Sequence, residues 1–335
     1  MVRDGAVSLR DGIRIELSDG KTVVADATEP AGDVAVLSHA HGDHLYSQAP
    51  SEVICSELTA RLAAARRRDE GKLGRGSHPA IEQVSAGHVP GSSATIIEDE
   101  GTTYLYTGDF SPRERFGLAG FDAEAVAADY DVDVLVTETT YGTPDYVFDA
   151  QRELERQIVG WLDDHDGPVV LFGYTLGRAQ EIERLVARSE RERLFVTEAI
   201  ERLNGVIAEA WGTDFGARRY RRETALNPED ALVLPAQTNK LSFVDRIVED
   251  TGAVTAGFSG WAIEESFLYR GGYDETFVLS DHADFSELVA TVETLNPRQV
   301  YTTHGFADAF ATHVETELGI EARSLKENQT SLGEF

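Results

Sequence analysis

In this chain a His, Asp or Glu repeatedly follows the end of a short apolar run, and that phase constrains the fold more than any other feature. Asp26 follows the run 22–25, and His39, His41, Asp43 and His44 follow 34–37. His88 comes after 81–84, Asp109 after 103–106, Glu138 after 134–136, His282 after 277–279 and His304 after 300–302. In α/β proteins such residues collect at the carboxyl ends of strands, where loops converge while the sheet holds them rigidly. Histidines dispersed through a core would not keep this phase. Further apolar runs at 169–172, 194–196, 231–234 and 254–257 alternate with helix-periodic stretches at 150–162, 179–187, 198–210 and 285–295. The alternation predicts an α/β fold. The composition hardly changes along the chain, so motifs must locate any domain boundary.

The densest cluster is Ser38-His39-Ala40-His41-Gly42-Asp43-His44, in a chain with only 9 His. Composition alone would produce such a cluster on the order of 10⁻³ times per chain. A surface His cluster or a helix cap is the alternative reading. One cysteine, Cys55, excludes an internal disulfide and a thiolate-rich zinc cluster. A metal site here must be built from imidazole and carboxylate, the ligands that suit zinc when thiolate is absent. Alternate His residues can point one way while Asp43 and His44 point another, so one loop can serve two ions. Two ions need more ligands. His88, beside Gly87, and Asp109, beside Gly108, are the natural additions, and two carboxylate oxygens let Asp109 bridge.

Composition bounds the partners. At 335 residues the chain is long enough for two domains, and 41% hydrophobic content is that of a globular protein. Its net charge is −29, and Lys occurs only at Lys21, Lys72, Lys240 and Lys326. An acidic, Lys-poor surface on an ordinary core suits concentrated salt, where screening tames self-repulsion; an acidic mesophilic enzyme is the plainer alternative. Such a charge argues against a nucleic-acid partner in dilute buffer, but in molar salt counterion release has largely gone and local groups decide. No run approaches the roughly 18 apolar residues of a membrane span. Residues 1–5 lack an apolar signal core, so a cytoplasmic protein is expected. Arg61, Arg66, Arg67 and Arg68, and Arg218, Arg219, Arg221 and Arg222 around Tyr220, could follow a phosphate backbone or pair with neighbouring acids.

The order Asp26, His39-x-His41-x-Asp43-His44, His88, Asp109 resembles motifs one to four of the metallo-β-lactamase superfamily. That resemblance implies a four-layer αββα sandwich with a dinuclear site at one edge. His39, His41 and His88 would hold the first zinc; Asp43, His44 and a third ligand would hold the second, with Asp109 bridging. Asp26 would orient the site through hydrogen bonds. Thr137-Glu138-Thr139-Thr140-Tyr141-Gly142 resembles motif A of the β-CASP nucleases, and Leu176-Gly177-Arg178-Ala179-Gln180-Glu181 is similar to a segment of their inserted domain. Ser280-Asp281-His282-Ala283-Asp284 resembles motif B, and Thr303-His304-Gly305 motif C in its histidine form. Singly these have bland readings: a turn and cap, a charged residue after a strand, a hydrogen-bonded core histidine. Jointly they run in the family's order from 26 to 305.

The resemblance implies a role for each. His304 completes the second zinc, and His282 meets the scissile phosphate and protonates the leaving oxygen. Glu138 orients that ring and raises its pKa. Asp43, Glu138 and His282 form the catalytic set. The cofactors are two zinc ions, though His/Asp ligation also admits manganese. The expected division is 1–145 and 262–335 for the metallo-β-lactamase domain, with a smaller α/β β-CASP domain inserted over 146–261. The chain is similar to a compact prokaryotic subgroup described as RNA 3′-end processing factors or as exonucleases linked with DNA ligase. The histidine at motif C favours RNA as substrate, with DNA end processing the alternative. Two other classes compete. Thioester or lactam hydrolysis on the same metals would leave motifs A to C without purpose. A non-catalytic binding subunit is opposed by the presence of every expected ligand.

Overall fold

The computed structural model describes residues 6–67 and 73–326. Residues 1–5, on which the reading of the amino terminus rests, and Arg68 of the first arginine cluster lie outside them. The chain forms two compact units. Residues up to Arg113, Ala119–Val147 and the residues from His282 onward make the first; Glu114–Leu118 and Phe148–Asp281 make the second.

The first leg of the chain lays down β1 (Val7–Arg10), β2 (Gly12–Glu16), β3 (Thr22–Ala25) and β4 (Val34–Val36), a sheet in that order with only β3–β4 parallel. After α1 (Glu57–Arg67) come β5 (Ile81–Ser85), β6 (Ser93–Asp99), β7 (Thr102–Tyr106), α2 (Ala123–Asp129) and β8 (Val134–Glu138).

The second unit follows. It contains α3 (Gln151–Asp163), β9 (Val169–Gly173), α4 (Arg178–Val186), β10 (Arg193–Val196), α5 (Glu198–Trp211) and β11 (Arg218–Arg219). Next are β12 (Asp230–Pro235), α6 (Ser242–Thr251), β13 (Val254–Phe258), α7 (Glu265–Gly271) and β14 (Glu275–Phe277). Its sheet runs β11-β10-β12-β9-β13-β14, every pair parallel. Parallel neighbours need crossover connections, which is why strands and helices alternate here. Both faces are covered. Val169, Leu171 and Val233 enter one apolar cluster, and Val170, Phe172 and Leu232 the other.

The chain returns with α8 (Phe285–Leu295), β15 (Gln299–Thr303), α9 (Ala307–His313) and β16 (Glu321–Ser324). The second sheet of the first unit is β16-β15-β8-β7-β6-β5. Side chains alternate across a strand, and the two faces of this sheet have different neighbours. Tyr104, Tyr106, Val134 and Val136 pack with Ile13, Ile15 and Val23 of the first sheet. Leu105, Leu135 and Val300 pack under Val126 of α2, Leu288 and Val292 of α8 and Phe310 of α9. A strand buried on both sides reads as an unbroken apolar run, as β8 does.

The second boundary falls after Asp281 rather than near Trp261 as expected. Composition does not mark it. The parallel pairing of β14 with β13 draws 262–281 into the second unit. β14 also ends at Phe277, earlier than the expected run 277–279. β6 shows no apolar alternation because Ser93, Ala94, Thr95, Ile96 and Ile97 are all buried between β5 and β7. Among the described residues no helix is long and apolar enough to cross a membrane.

One buried acid in the second unit carries a prediction. Glu183 accepts from Asn204 Nδ2 at 2.7 Å, Asn204 Oδ1 accepts from Gln180 Nε2 at 2.8 Å, and Gln180 Oε1 accepts from Gly177 N at 2.7 Å. Burial pushes Glu183 up to about 8, against a weaker opposing effect from Asn204. The folded chain therefore keeps this proton to about pH 8, whereas the unfolded chain releases it near 4.5. Between those values the unfolded state binds fewer protons, so stability falls as pH rises, by roughly 5 kcal/mol in all, and levels off above. In urea unfolding from pH 5 to 9, Glu183→Gln should lack this decline. A wild-type slope that the substitution leaves intact would disprove the assignment.

Candidate metal centre

The site is built by strand ends of the first unit. At the end of β3, Asp26 takes a left-handed backbone, φ 52°, and its carboxylate closes over the loop after β4. Asp26 Oδ1 accepts from Ser38 N at 2.7 Å; Oδ2 accepts from Ser38 Oγ at 2.5 Å and from Tyr106 OH at 2.7 Å. Burial first, then the Asp26 carboxylate, hold the Tyr106 phenol well above its ordinary pKa, so it stays a donor. Gly108, φ 56°, permits the approach of β7's loop. A Cβ there would lie 2.6 Å from Ser38 Cβ.

Ser38 fixes a tautomer. Its single hydroxyl proton goes to Asp26, so toward His39 Nδ1, 2.9 Å away, the oxygen can only accept. Nδ1 must carry the proton, and Nε2 is left with a lone pair. His39 Nε2 is buried and has no hydrogen-bond partner among the described residues. Such an atom is costly unless something else meets it.

What surrounds it is a ring of like atoms. Asp109 Oδ2 lies 3.4 Å from His44 Nε2, 3.6 Å from His39 Nε2 and 3.7 Å from His88 Nε2. His41 Nδ1 faces His88 Nε2 at 3.1 Å. His39, His41, His88 and Asp109 each offer one ligand atom, all within 4.8 Å of one another. Three imidazoles and a carboxylate so placed fit a divalent ion with the preferences of zinc. Asp26, His39 and His44 make a second such group, and Asp109, Glu138 and His282 a third. Burial, with the charges of His44 and His88, keeps His39 well below the usual imidazole range. Burial opposes charge on His44 too, but Asp109 and Asp26 outweigh it and hold its pKa well above the ordinary value. Burial would raise Asp109, yet its neighbours, His44 foremost, hold it well below the carboxylate range.

Glu138, the last residue of β8, sits beside this cluster with its side chain 1% exposed. Its Oε2 accepts from Thr140 N at 2.9 Å and Oε1 from Phe110 N at 3.3 Å. Oε1 also meets His282 Nδ1 at 2.7 Å. The His282 ring stands 4.6 Å from that of His88, centroid to centroid.

Two expected ligands lie further out. Asp43 is exposed and falls in none of the groups; its charge acts on Arg66 of α1, whose pKa is lowered by burial and raised by Asp43. His304 is likewise exposed and outside the groups, though its ring centroid is 6.0 Å from that of His44. His304 has φ 58° and Gly305 φ 54°, and a Cβ on Gly305 would meet Thr139 O at 2.4 Å. Thr139 Oγ1 donates to His304 O at 2.6 Å, tying the end of β15 to that of β8. Ser38, Tyr106, Thr139 and Thr140 were not singled out in the sequence. Each adjoins or belongs to a recognised motif, but only contacts reveal its part. Of the arginine clusters, Arg219 pairs with Glu198 and Glu201, and Arg67 donates to the carbonyls of Tyr46 and Ser47.

Comparison with known proteins places this geometry. The Zn-dependent metallo-hydrolase RNA specificity domain matches residues 275–325. A probable DNA ligase of Opitutus terrae is 36% identical over 320 residues, covering 89% of this chain and 29% of the ligase. An RNase J-like protein of Methanocaldococcus jannaschii is 29% identical over 189 residues, covering 46% of this chain and 43% of its own. The endoribonuclease ysh-1 of Neurospora crassa is 37% identical over 104 residues, 30% of this chain and 12% of that one. The chain thus spans less than half the length of these relatives. In fold it is similar to the crystal structure of a protein of unknown function from Enterococcus faecalis V583, with TM-score 0.58 and 15% identity over 89% of this chain and 80% of that one. An alignment over 89% of the chain takes in both the histidine cluster and the inserted sheet, and with the matches to RNA-cleaving relatives it means that the chain belongs to the β-CASP family of the metallo-β-lactamase superfamily.

Proposed function

We propose that this chain is a two-zinc nuclease that hydrolyses phosphodiester bonds of RNA, working in the salt-rich cytoplasm that its acidic, Lys-poor composition suits. The observation that carries the reading is the meeting of His39, His41, His88 and Asp109 around buried, convergent lone pairs, with the Glu138–His282 pair beside them. His39, His41 and His88 would hold one ion, and His44, Asp43 and His304 the other, with Asp109 shared. When bound, such ions supply Lewis-acid polarisation of a phosphoryl oxygen and make water acidic enough to attack near neutral pH.

The chain's own residues do the rest. Asp26 and Ser38 hold the His39 ring so that its lone pair points into the cluster. The Glu138 carboxylate, fixed by two backbone amides, requires a proton on His282 Nδ1. In the imidazolium form the second proton sits on His282 Nε2, which would hand it to the leaving oxygen and leave the neutral Nδ1–H ring bonded to Glu138, a role worth about 10²–10⁴ in rate. The product expected is a 5′-phosphate and a 3′-hydroxyl.

RNA as substrate is supported by the RNA specificity domain match and by relatives named as ribonucleases. DNA end processing is the second reading, favoured by the alignment to a probable DNA ligase over 89% of the chain. Labelled RNA and DNA of one sequence, offered in molar salt with zinc or manganese, should separate them. RNA should be cut faster, and a chelator should stop the reaction. Equal or faster cutting of DNA would move the assignment to the second reading; labels at the 5′ and 3′ ends report polarity in the same time course.

A further inference from the structure

Two carboxylates near His282 in the chain are each held by an arginine of their own unit, Asp281 in the second unit and Asp284 in the first. Before it, Asp281 Oδ1 accepts from Arg178 Nη2 at 2.7 Å, with side chains 6% and 2% exposed. Arg178 opens α4 in the second unit, where Glu181 is also held by Arg115 at 3.2 Å and by Gln151 at 2.9 Å. After it, Asp284 caps α8 and exchanges bonds with Glu287 in a capping box. Arg113 Nη2 donates to Asp284 Oδ2 at 2.9 Å and its Nε to Glu287 Oε1 at 2.7 Å. Between them Ala283 N donates to Phe110 O at 2.8 Å. Every residue from 281 to 284 thus has a bond that fixes its backbone or its side chain.

Stability is a weak reason to keep these charges. Well-packed apolar residues in place of a buried ion pair are often neutral or stabilising, because desolvation offsets the Coulombic gain. Geometry is the better reason. His282 stands next to Ala283, which is bonded to Phe110 O, and two residues before the Asp284 cap held by Arg113, so these contacts of the first unit set where the His282 backbone leaves. An imidazole that must meet both Glu138 and a leaving oxygen tolerates little drift.

We propose that Arg113 is a positioning residue for cleavage, a clamp within the first unit that holds the His282 turn so that Nδ1 stays on Glu138 and Nε2 faces substrate. This rests on the reading of His282 as proton donor. It is tested with Arg113→Lys and Asp284→Asn in the full chain. With zinc-loaded protein and a 5′-labelled RNA oligonucleotide, kcat should fall on the order of 10–10²-fold while KM stays within about twofold. In ¹⁵N-histidine-labelled protein, at a pH where the ring is neutral, the wild-type His282 should be a single Nδ1–H tautomer, and both variants should show a mixture. Thermal melts report the fold. Should Arg113→Lys unfold the protein, Asp284→Asn, which keeps a capping oxygen for α8, carries the same two measurements. Unchanged kcat with an unchanged tautomer, or a rise confined to KM, would overturn the clamp. A silent His282→Ala would instead bring down the reading of His282, with the tautomer readout still deciding the clamp.

Discussion

Asp109→Asn is expected to cost the protein bound metal and about 10³-fold in cleavage rate, the several kcal/mol that metal polarisation supplies. One carboxylate oxygen lies 3.4–3.7 Å from the Nε2 atoms of His44, His39 and His88. Asn keeps the shape and removes the charge, so the three nitrogens lose the anion that would share a cation with them. Metal content by elemental analysis should drop, and saturating zinc should no longer raise the melting temperature. In the wild type, zinc at 100 times its dissociation constant stabilises by about 2.7 kcal/mol. Ser38→Ala should act more mildly, about 10–100-fold in affinity, because it frees the His39 ring to turn without removing a donor. Full metal content and normal rate in Asp109→Asn would mean that the cluster does not hold the catalytic ions.

The second large effect belongs to His282. Its replacement by Ala should lower kcat about 10²–10⁴-fold while metal content stays at the wild-type level, since His39, His41, His88 and Asp109 remain as a complete donor group without it. A proton donor matters only when the leaving oxygen is basic. On a nitrophenyl phosphodiester, whose leaving group departs without a proton, the same variant should lose only a few-fold. Equal losses on both substrates would show that His282 binds rather than protonates. Unchanged turnover on RNA would return the chain to small-molecule hydrolysis on the same metals. Glu138→Gln should follow the pattern of His282→Ala at smaller size, because the amide still offers an acceptor to Nδ1 but not a charge.

Much of this site was legible in order and spacing. The His39–His44 segment, His88 and Asp109 stand out because metal chemistry needs particular residue types, and because strand ends put them in a repeating phase with apolar runs. Glu138 and His282, 144 residues apart, are legible as motifs and as a hydrogen-bonded pair at 2.7 Å only once folded. Of the strands that escaped notice, β1, β11 and β16 have four residues or fewer, and β2 alternates buried Ile13 and Ile15 over only five residues. β6 was hidden because its small polar residues are packed on both faces.

By itself the amino-acid order determined which chemistry is available, in which α/β class, and that the candidate ligands come from separate parts of the chain, since residue type and periodicity are local properties. Tertiary structure alone decided that Ser38 sets the His39 tautomer, that Tyr106 reaches back to Asp26, and that β14 extends the second unit to Asp281. It also decided that Asp43 and His304 stand apart from the tightest donor groups. The reason is the same for each. A hydrogen bond or a strand pairing depends on where two distant backbones arrive, and that position comes from the packed sheets rather than from any one segment.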